Sequence, residues 1–316
     1  MNGRGSFVGL TLAFVALLVG GWWLPPWAQS LFVLALGKGL VVLGLMLLMR
    51  CGLVSFGQGL YYCLGAYAAV SFSRLLGLPD SPLTFDAVVM PVFGALVAAI
   101  VAWLLGFLLA RYRAIFFAML SLAFSMILYG LLIKMSVLGS SDGFNVAWRT
   151  VAGFEPGPAA RGYVLFALAA LFSYAAALAV DRYVRSHRGR LGPAIRDNEL
   201  RVEYLGASVR RIVHENHVIA AFLGGLGGGI VALSIGHIDP ELAYWTTSGE
   251  FVFVAILGGT SNVVAPFLGS LLFEWVKSIA YQYTPYTWQL VLGFAMLAVI
   301  MFLPAGLWSL FQRRAT

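Results

Sequence analysis

The sequence predicts an all-α, polytopic integral membrane protein, and three observations carry that fold class. Of 316 residues, 61% are hydrophobic and only 10% are charged, against about 25% charged in soluble globular domains. Apolar windows close to the roughly 20 residues needed to cross the hydrocarbon core recur from Phe7 to Leu310. No polar stretch between them is long enough to fold by itself, so residues 1–316 read as one transmembrane domain.

Taken in order, the first window, Phe7 to Leu24, follows Arg4 and reads as a retained span. Its rival is a cleaved secretory signal, which the long apolar core and the lack of a small-residue cleavage pattern disfavour. Further spans are expected over 28–49, 53–72, 88–110, 114–134, 162–181, 212–236 and 287–309. The stretch 250–276 is different, because Gly258, Gly259, Thr260, Ser261, Asn262 and Pro266 interrupt its apolar run. About eight transmembrane helices plus one re-entrant or broken helix result. Irregular backbone at membrane depth is tolerated where it is buried in protein or lines a wet cavity, so the break is either a pathway element or a short loop near the outer surface.

Charge orients these elements. Eight of the twenty Lys and Arg residues fall between Arg182 and Arg211, the pattern of a cytoplasmic loop under the positive-inside rule. Alternation from that loop puts Arg4, Arg50, Arg111 and Arg113 on the same side. If 250–276 enters and returns, Arg313 and Arg314 join them, giving fourteen basic residues inside and five outside: Arg74, Lys134, Arg149, Arg161 and Lys277. The net charge of +7 therefore speaks of topology and gives no reason to expect nucleic acid.

Residues for bond chemistry are scarce. Cys51 and Cys63 are twelve positions apart, about 18 Å along a continuous helix, too far for a disulfide. His214 and His217 have helix-neighbour spacing, but without further ligands they read as a surface pair and no metal is expected. The glycines 224, 225, 227, 228 and 229 lack the Gly-Lys-Ser/Thr ending of a phosphate loop and suit close helix packing. No cofactor and no enzymatic activity is expected of this chain. Lys38 is the one charge well inside a span, where it either faces the interior or a partner subunit, or snorkels along its own helix. With the acids assigned to span ends and loops, ion coupling is disfavoured and the alternative is a transporter driven by a separate motor.

Such a motor needs a handle. Within 182–211, Pro193 suits a first helical turn, Ala194, Ile195 and Leu205 are apolar, and charges are interspersed. A short amphipathic helix from Pro193 to Leu205, ending near Gly206, is expected. It binds either a protein partner or the surface of an anionic bilayer; the mixed charges Asp197, Glu199 and Glu203 among the arginines favour protein.

Several segments in order then resemble the permeases of branched-chain amino-acid ABC importers, the LivM type within the LivH/LivM family. They are Gly52-Leu-Val-Ser-Phe-Gly-Gln-Gly through Gly65-Ala-Tyr67, Phe116 to Phe124, Gly139-Ser-Ser-Asp-Gly143, Ala194-Ile-Arg-Asp-Asn-Glu199, Ser248-Gly-Glu250, Ile256-Leu-Gly-Gly259 and Leu303-Pro-Ala-Gly306. The resemblance implies a coupling helix (Ala194, Ile195, Arg196, Asp197, Asn198, Glu199, with Gly206 at its end) docked on an ABC ATPase subunit, Ile195 in a groove and Arg196, Asp197 and Glu199 at its rim. It also implies a second, LivH-like permease, a periplasmic solute-binding protein, residence in the bacterial cytoplasmic (inner) membrane, and Leu, Ile or Val as the small-molecule substrate. Gln58, Ser121 and Thr260-Ser261-Asn262 depart from the family pattern, which keeps urea, short amides and other amino acids open as substrates. A stand-alone carrier or channel is the alternative of a different class. Polar positions on apolar elements are the candidate translocation path: Ser55, Gln58, Ser121, Thr260, Ser261 and Asn262. Their competing reading is local, with Ser and Thr bonding their own helix backbones and Asn262 capping a helix.

Overall fold

The computed structural model describes residues 3–75, 86–158, 160–283, 286–302 and 306–309. Twelve helices are present among them: α1 (Gly3–Trp23), α2 (Pro26–Arg50), α3 (Gln58–Leu75), α4 (Val89–Leu109), α5 (Ala114–Lys134), α6 (Arg161–Arg185), α7 (His187–Asp197), α8 (Glu199–Tyr204), α9 (Val209–Ile235), α10 (Trp245–Gly258), α11 (Ala265–Tyr283) and α12 (Trp288–Phe302). Helices α2, α4, α5, α6 and α9 are each long and apolar enough to cross a membrane. Their ends follow local rules. Pro26 opens α2, where its missing N–H costs nothing. The Ser208 hydroxyl accepts the Arg211 N–H at the start of α9, and Gly236, at φ 73°, closes that helix in the left-handed conformation that glycine adopts without strain.

Helix α9 is the centre of the bundle, packed against α2, α3 and α4. Its glycines do what the sequence suggests. A side chain at Gly225 would meet Gly94, Ala95 and Ala98 of α4, one at Gly227 would meet Gly37 of α2, and one at Gly228 would meet the Tyr62 backbone of α3. Small residues thus let four helices approach through their backbones, the way helices associate where lipid supplies no hydrophobic drive. Helix α1 lies outside this core on α6, held by the Thr11 and Tyr174 hydroxyls at 2.8 Å and by Phe14 stacked on Tyr174.

The two ends of the bundle carry the described segments that alternation assigned to them, except Lys277, which was expected outside and instead pairs with Glu250 inside the bundle. One end gathers the close of α2, the α4–α5 junction, α7, α8 and the start of α9 around Leu48, Cys51, Leu53, Leu109, Phe117, Ile195, Val202 and Val209. The other carries a two-stranded antiparallel ribbon, β1 (Phe144–Asn145) with β2 (His237–Ile238), paired Phe144 to Ile238 and Asn145 to His237. The stretch 250–276 folds as a hairpin of α10 and α11 with its break at 259–264. Thr260 shares a cavity with Gly52 and Arg196, so the break lies at the basic-loop end rather than near the opposite surface. The backbone N–H groups of Leu307 and Trp308 bond Leu257 and Gly258 there, which brings the chain after α12 to the same end. Leu303 to Ala305 and the terminal Arg313 and Arg314 lie outside the described residues.

Four expectations are corrected. The third span begins at Gln58, not 53: the Leu53 N–H turns back to Leu48 O and Gly52 adopts φ 76°, so Ser55 lies in irregular backbone ahead of α3. The single helix expected from Pro193 is two helices. The first starts at His187 behind a Ser186 cap, with Pro193 inside it, and Asn198, extended at φ −161°, separates it from α8 and caps Arg201 N. Third, His214 and His217 are not a surface pair, since His217 is buried and its Nε2 lies 2.6 Å from the Tyr61 hydroxyl. The fourth concerns the acids, which the next section places inside the bundle.

Candidate functional site

At the basic-loop end, the direction of the apolar residues differs from expectation. Ile195 is buried within the chain, packed with Leu48, Cys51, Leu53 and Phe117, so it is not free to fill a partner's groove. Glu199 is also engaged at home: Arg113 Nε donates to both of its carboxylate oxygens at 2.8 and 3.0 Å. Arg188 and Arg211 both hold Glu215, pinning the loop to α9. Arg196, Asp197 and Asn198 are exposed, Ala194 is half-buried, and Gly206 sits at φ 85° just past α8. The apolar groups that do face outward are Leu200, Tyr204 and Leu205, at 65%, 89% and 79% exposure. All three belong to α8 or the residue after it, and Arg196, Arg201 and Glu203 of the same loop are exposed as well.

The path candidates divide into two groups. Ser55, Gln58 and Ser121 are all buried and come together where α3 begins. Ser121 Oγ accepts the Phe56 N–H at 3.2 Å, and Ser55 Oγ accepts that of Gly57. Two further serines, Ser125 and Ser248, complete the cluster, with Ser248 Oγ accepting the Gly59 N–H and Ser125 donating to Ala243 O. Gln58 stands out, because among the described residues neither of its amide atoms has a hydrogen-bond partner, an expensive condition for a dry interior. Thr260 lies apart, on a cavity of about 350 Å3 with Met49, Gly52, Val54, Arg196 and Ile256. Ser261 is exposed, and Asn262 Oδ1 accepts the Val264 N–H ahead of α11, the local capping role that competed with a path role.

A third constellation escaped the sequence. Lys38 stands at the centre of α2, and its ammonium reaches Glu274 of α11 at 2.6 Å and Glu250 of α10 at 3.2 Å. Glu250 in turn receives Lys277 of α11 at 3.0 Å. Two acids and two bases alternate along one line, so the cluster is neutral. Phe273 lies beneath both ammonium groups, 5.5 and 5.8 Å from its ring centre, and Trp288 lies 5.0 Å from Lys277. Lys38 therefore faces the interior of its own chain and is not snorkelling. The signal was present: a lysine in mid-span demands an acid, and Glu274 and Lys277 have the spacing of one helix face.

A polytopic bundle with a pinned basic loop, a broken helical hairpin and buried polar groups has the parts of a permease. A family model described as branched-chain amino acid transport system / permease component matches residues 27–301. The chain belongs to that family. The permease is thus a multi-pass membrane protein and a transport component rather than an enzyme. It is 27% identical over 301 residues to the high-affinity branched-chain amino acid transport system permease protein LivM of Escherichia coli (strain K12), covering 88% of this chain and 68% of that one. The Salmonella typhimurium LivM protein is 27% identical over 302 residues with the same coverage. No solved structure matches.

Proposed function

We propose that this permease passes the branched-chain amino acids Leu, Ile and Val inward across a bacterial cytoplasmic membrane as the channel-forming part of an ATP-binding-cassette importer. The observation that carries the reading is the family match over residues 27–301 together with the alignment to LivM along 88% of the chain. Separate ATPase subunits supply the energy, a periplasmic solute-binding protein delivers the solute, and a second, LivH-like permease completes the path. The α7–α8 loop is the coupling element, with Ala194 to Glu199 and Gly206 shaping its base and Leu200, Tyr204 and Leu205 as the part that seats in the ATPase. Ser55, Gln58 and Ser121 line the path near its inner end, with Thr260, Ser261 and Asn262 at the mouth. The gathering of Ser55, Gln58 and Ser121 at one point of an otherwise apolar bundle supports a polar lining there.

Reconstitution into liposomes with and without the ATPases and binding protein tests the reading. ATP-dependent uptake of leucine, isoleucine and valine that requires both partners is expected; uptake by the permease alone, or of urea or short amides in preference, would refute it. The coupling assignment has its own test. Tyr204→Asp and Leu200→Asp should abolish co-purification of the ATPase with the fold intact, because each removes exposed apolar surface worth about 1.5–3 kcal/mol if buried at the partner. Ile195→Asp should instead damage the fold itself, since Ile195 packs inside the chain.

A further inference from the structure

We propose that Glu250 and Lys277 form a subsite for a zwitterionic solute, holding an ammonium and a carboxylate carried on one carbon atom. The inference rests on the transport reading above for its solute class, and on the following geometry for its place. Lys38 is midway along α2, about 18 Å from either end of a helix with 1.5 Å rise, so the cluster lies deep in the membrane-spanning part of the bundle. Its four members are not equally enclosed. The inner side chains, Lys38 and Glu274, are 12% and 9% exposed, whereas Glu250 and Lys277 are 25% and 20% exposed. Charge at such depth does not face hydrocarbon. The outer pair therefore opens onto water or onto another protein, and a solute path supplies the first.

The chemistry of the pair then selects its ligand. Glu250 and Lys277 cancel, so a solute with one net charge would leave a buried charge uncompensated. A zwitterion does not. Its ammonium can take the Glu250 carboxylate while its carboxylate takes the Lys277 ammonium, converting one ion pair into a closed ring of four alternating charges. Every charge keeps a partner throughout, which avoids the large penalty of a lone buried ion. The inner Lys38–Glu274 pair stays closed during the exchange and keeps Glu250 oriented through the 3.2 Å contact from Lys38. Phe273 and Trp288 give the ammonium groups aromatic faces and an apolar wall beside which a hydrocarbon side chain can lie.

Saturation-transfer NMR on the purified full-length permease, with its subunits in nanodiscs, tests this without requiring transport. The probes are leucine, isoamylamine, which keeps only the ammonium, and 4-methylvalerate, which keeps only the carboxylate. Leucine should show a transfer signal at least tenfold above either single-charge analogue. Lys277→Gln should remove that preference and leave isoamylamine contact, Glu250→Gln should do the reverse, and Lys277→Arg should retain leucine. A purely structural pair would give equal signals for the three probes in the wild type, or a leucine preference that survives both neutral variants, and either result overturns the subsite. Thermal unfolding of each variant separates lost binding from lost fold, with Lys277→Arg as the folded reference. The two proposals fail separately: leucine binding without ATP-driven uptake removes the importer and keeps the subsite, and uptake without the charge-pair preference does the opposite.

Discussion

Helix α2 joins two neighbours by opposite means, and adjacent residues do it. Gly37 meets Gly227 and Val231 of α9, while Lys38 turns to Glu250 and Glu274 of the α10–α11 hairpin. On the α9 side the helices meet by shape: Gly44 of α2 lies against the Ala220 backbone, just as Gly65 of the neighbouring α3 lies against Gly225. On the hairpin side they meet by charge. The first interface has no room for an added atom, and the second cannot lose a group. One is held by close backbone contact and the other by paired charges, which is why the proposed subsite falls at the second.

The largest effect should come from breaking the charged interface on one side only. Lys38→Met leaves Glu274 without its cation, and removing one member of a buried pair costs about 3–5 kcal/mol. Combining Lys38→Met with Glu274→Leu should recover most of that loss, because no charge is then left alone. Thermal unfolding of the purified permease measures both; a double variant no more stable than the single one would show that the cluster does not hold the hairpin through pairing.

The glycine interface should respond next, and to addition. Gly225→Ala puts a methyl about 2.7–2.9 Å from Ala98, Ala95 and Gly94, where overpacking costs about 1–3 kcal/mol. Gly249→Ala is the matched control, since a Cβ there meets nothing within 4 Å and helix propensity favours Ala over Gly by about 0.8–1.0 kcal/mol. Equal unfolding temperatures for the two variants would mean that α9 does not pack through its backbone.

How far each interface could be read beforehand follows from the same contrast. Hydropathy marked α4 and α5 almost to the residue, and the run of glycines in α9 announced close packing, because both are local patterns. Hydropathy shows the hairpin only as a broken apolar stretch. Treating 250–276 as irregular set Glu250 and Glu274 outside the confident spans, so Lys38 had no visible acid; the pairing joins residues more than 200 positions apart. The loop was found by its charge, but the facing of Ile195 depends on the Asn198 break, which sequence spacing does not reveal. The apolar neighbours of Ser55 suggest a helix there, although Gly52 and Gly57 flank it and the backbone is irregular.

Asp86 offers a third way of holding a charge, and the smallest expected effect. It precedes α4 beyond the span and has no cation in its hydrogen-bond set. Its Oδ1 accepts the N–H groups of Val88 and Val89 at 2.9 and 3.1 Å, and its Oδ2 accepts from Gly153 N and the Thr150 hydroxyl, both at 3.1 Å. Burial alone would raise its pKa, but these four donors hold the carboxyl below the usual carboxylate range. A depressed folded value stabilises the junction fully above the ordinary carboxylate pKa, and that contribution is lost as pH falls through the depressed value. Asp86→Ala removes the cap and should cost about 0.5–2 kcal/mol, less than either interface. Asp86→Asn should cost less still, since one oxygen continues to serve Val88 and Val89, and it should flatten the acid dependence. Amide hydrogen exchange at Val88, Val89 and Gly153, corrected for intrinsic rates, reads both effects. Protection that is independent of pH through the acid range in the wild-type protein would show that the backbone donors hold Asp86 in place whether or not it is charged, and would leave the Lys38 cluster as the site in this comparison where charge itself holds two elements together.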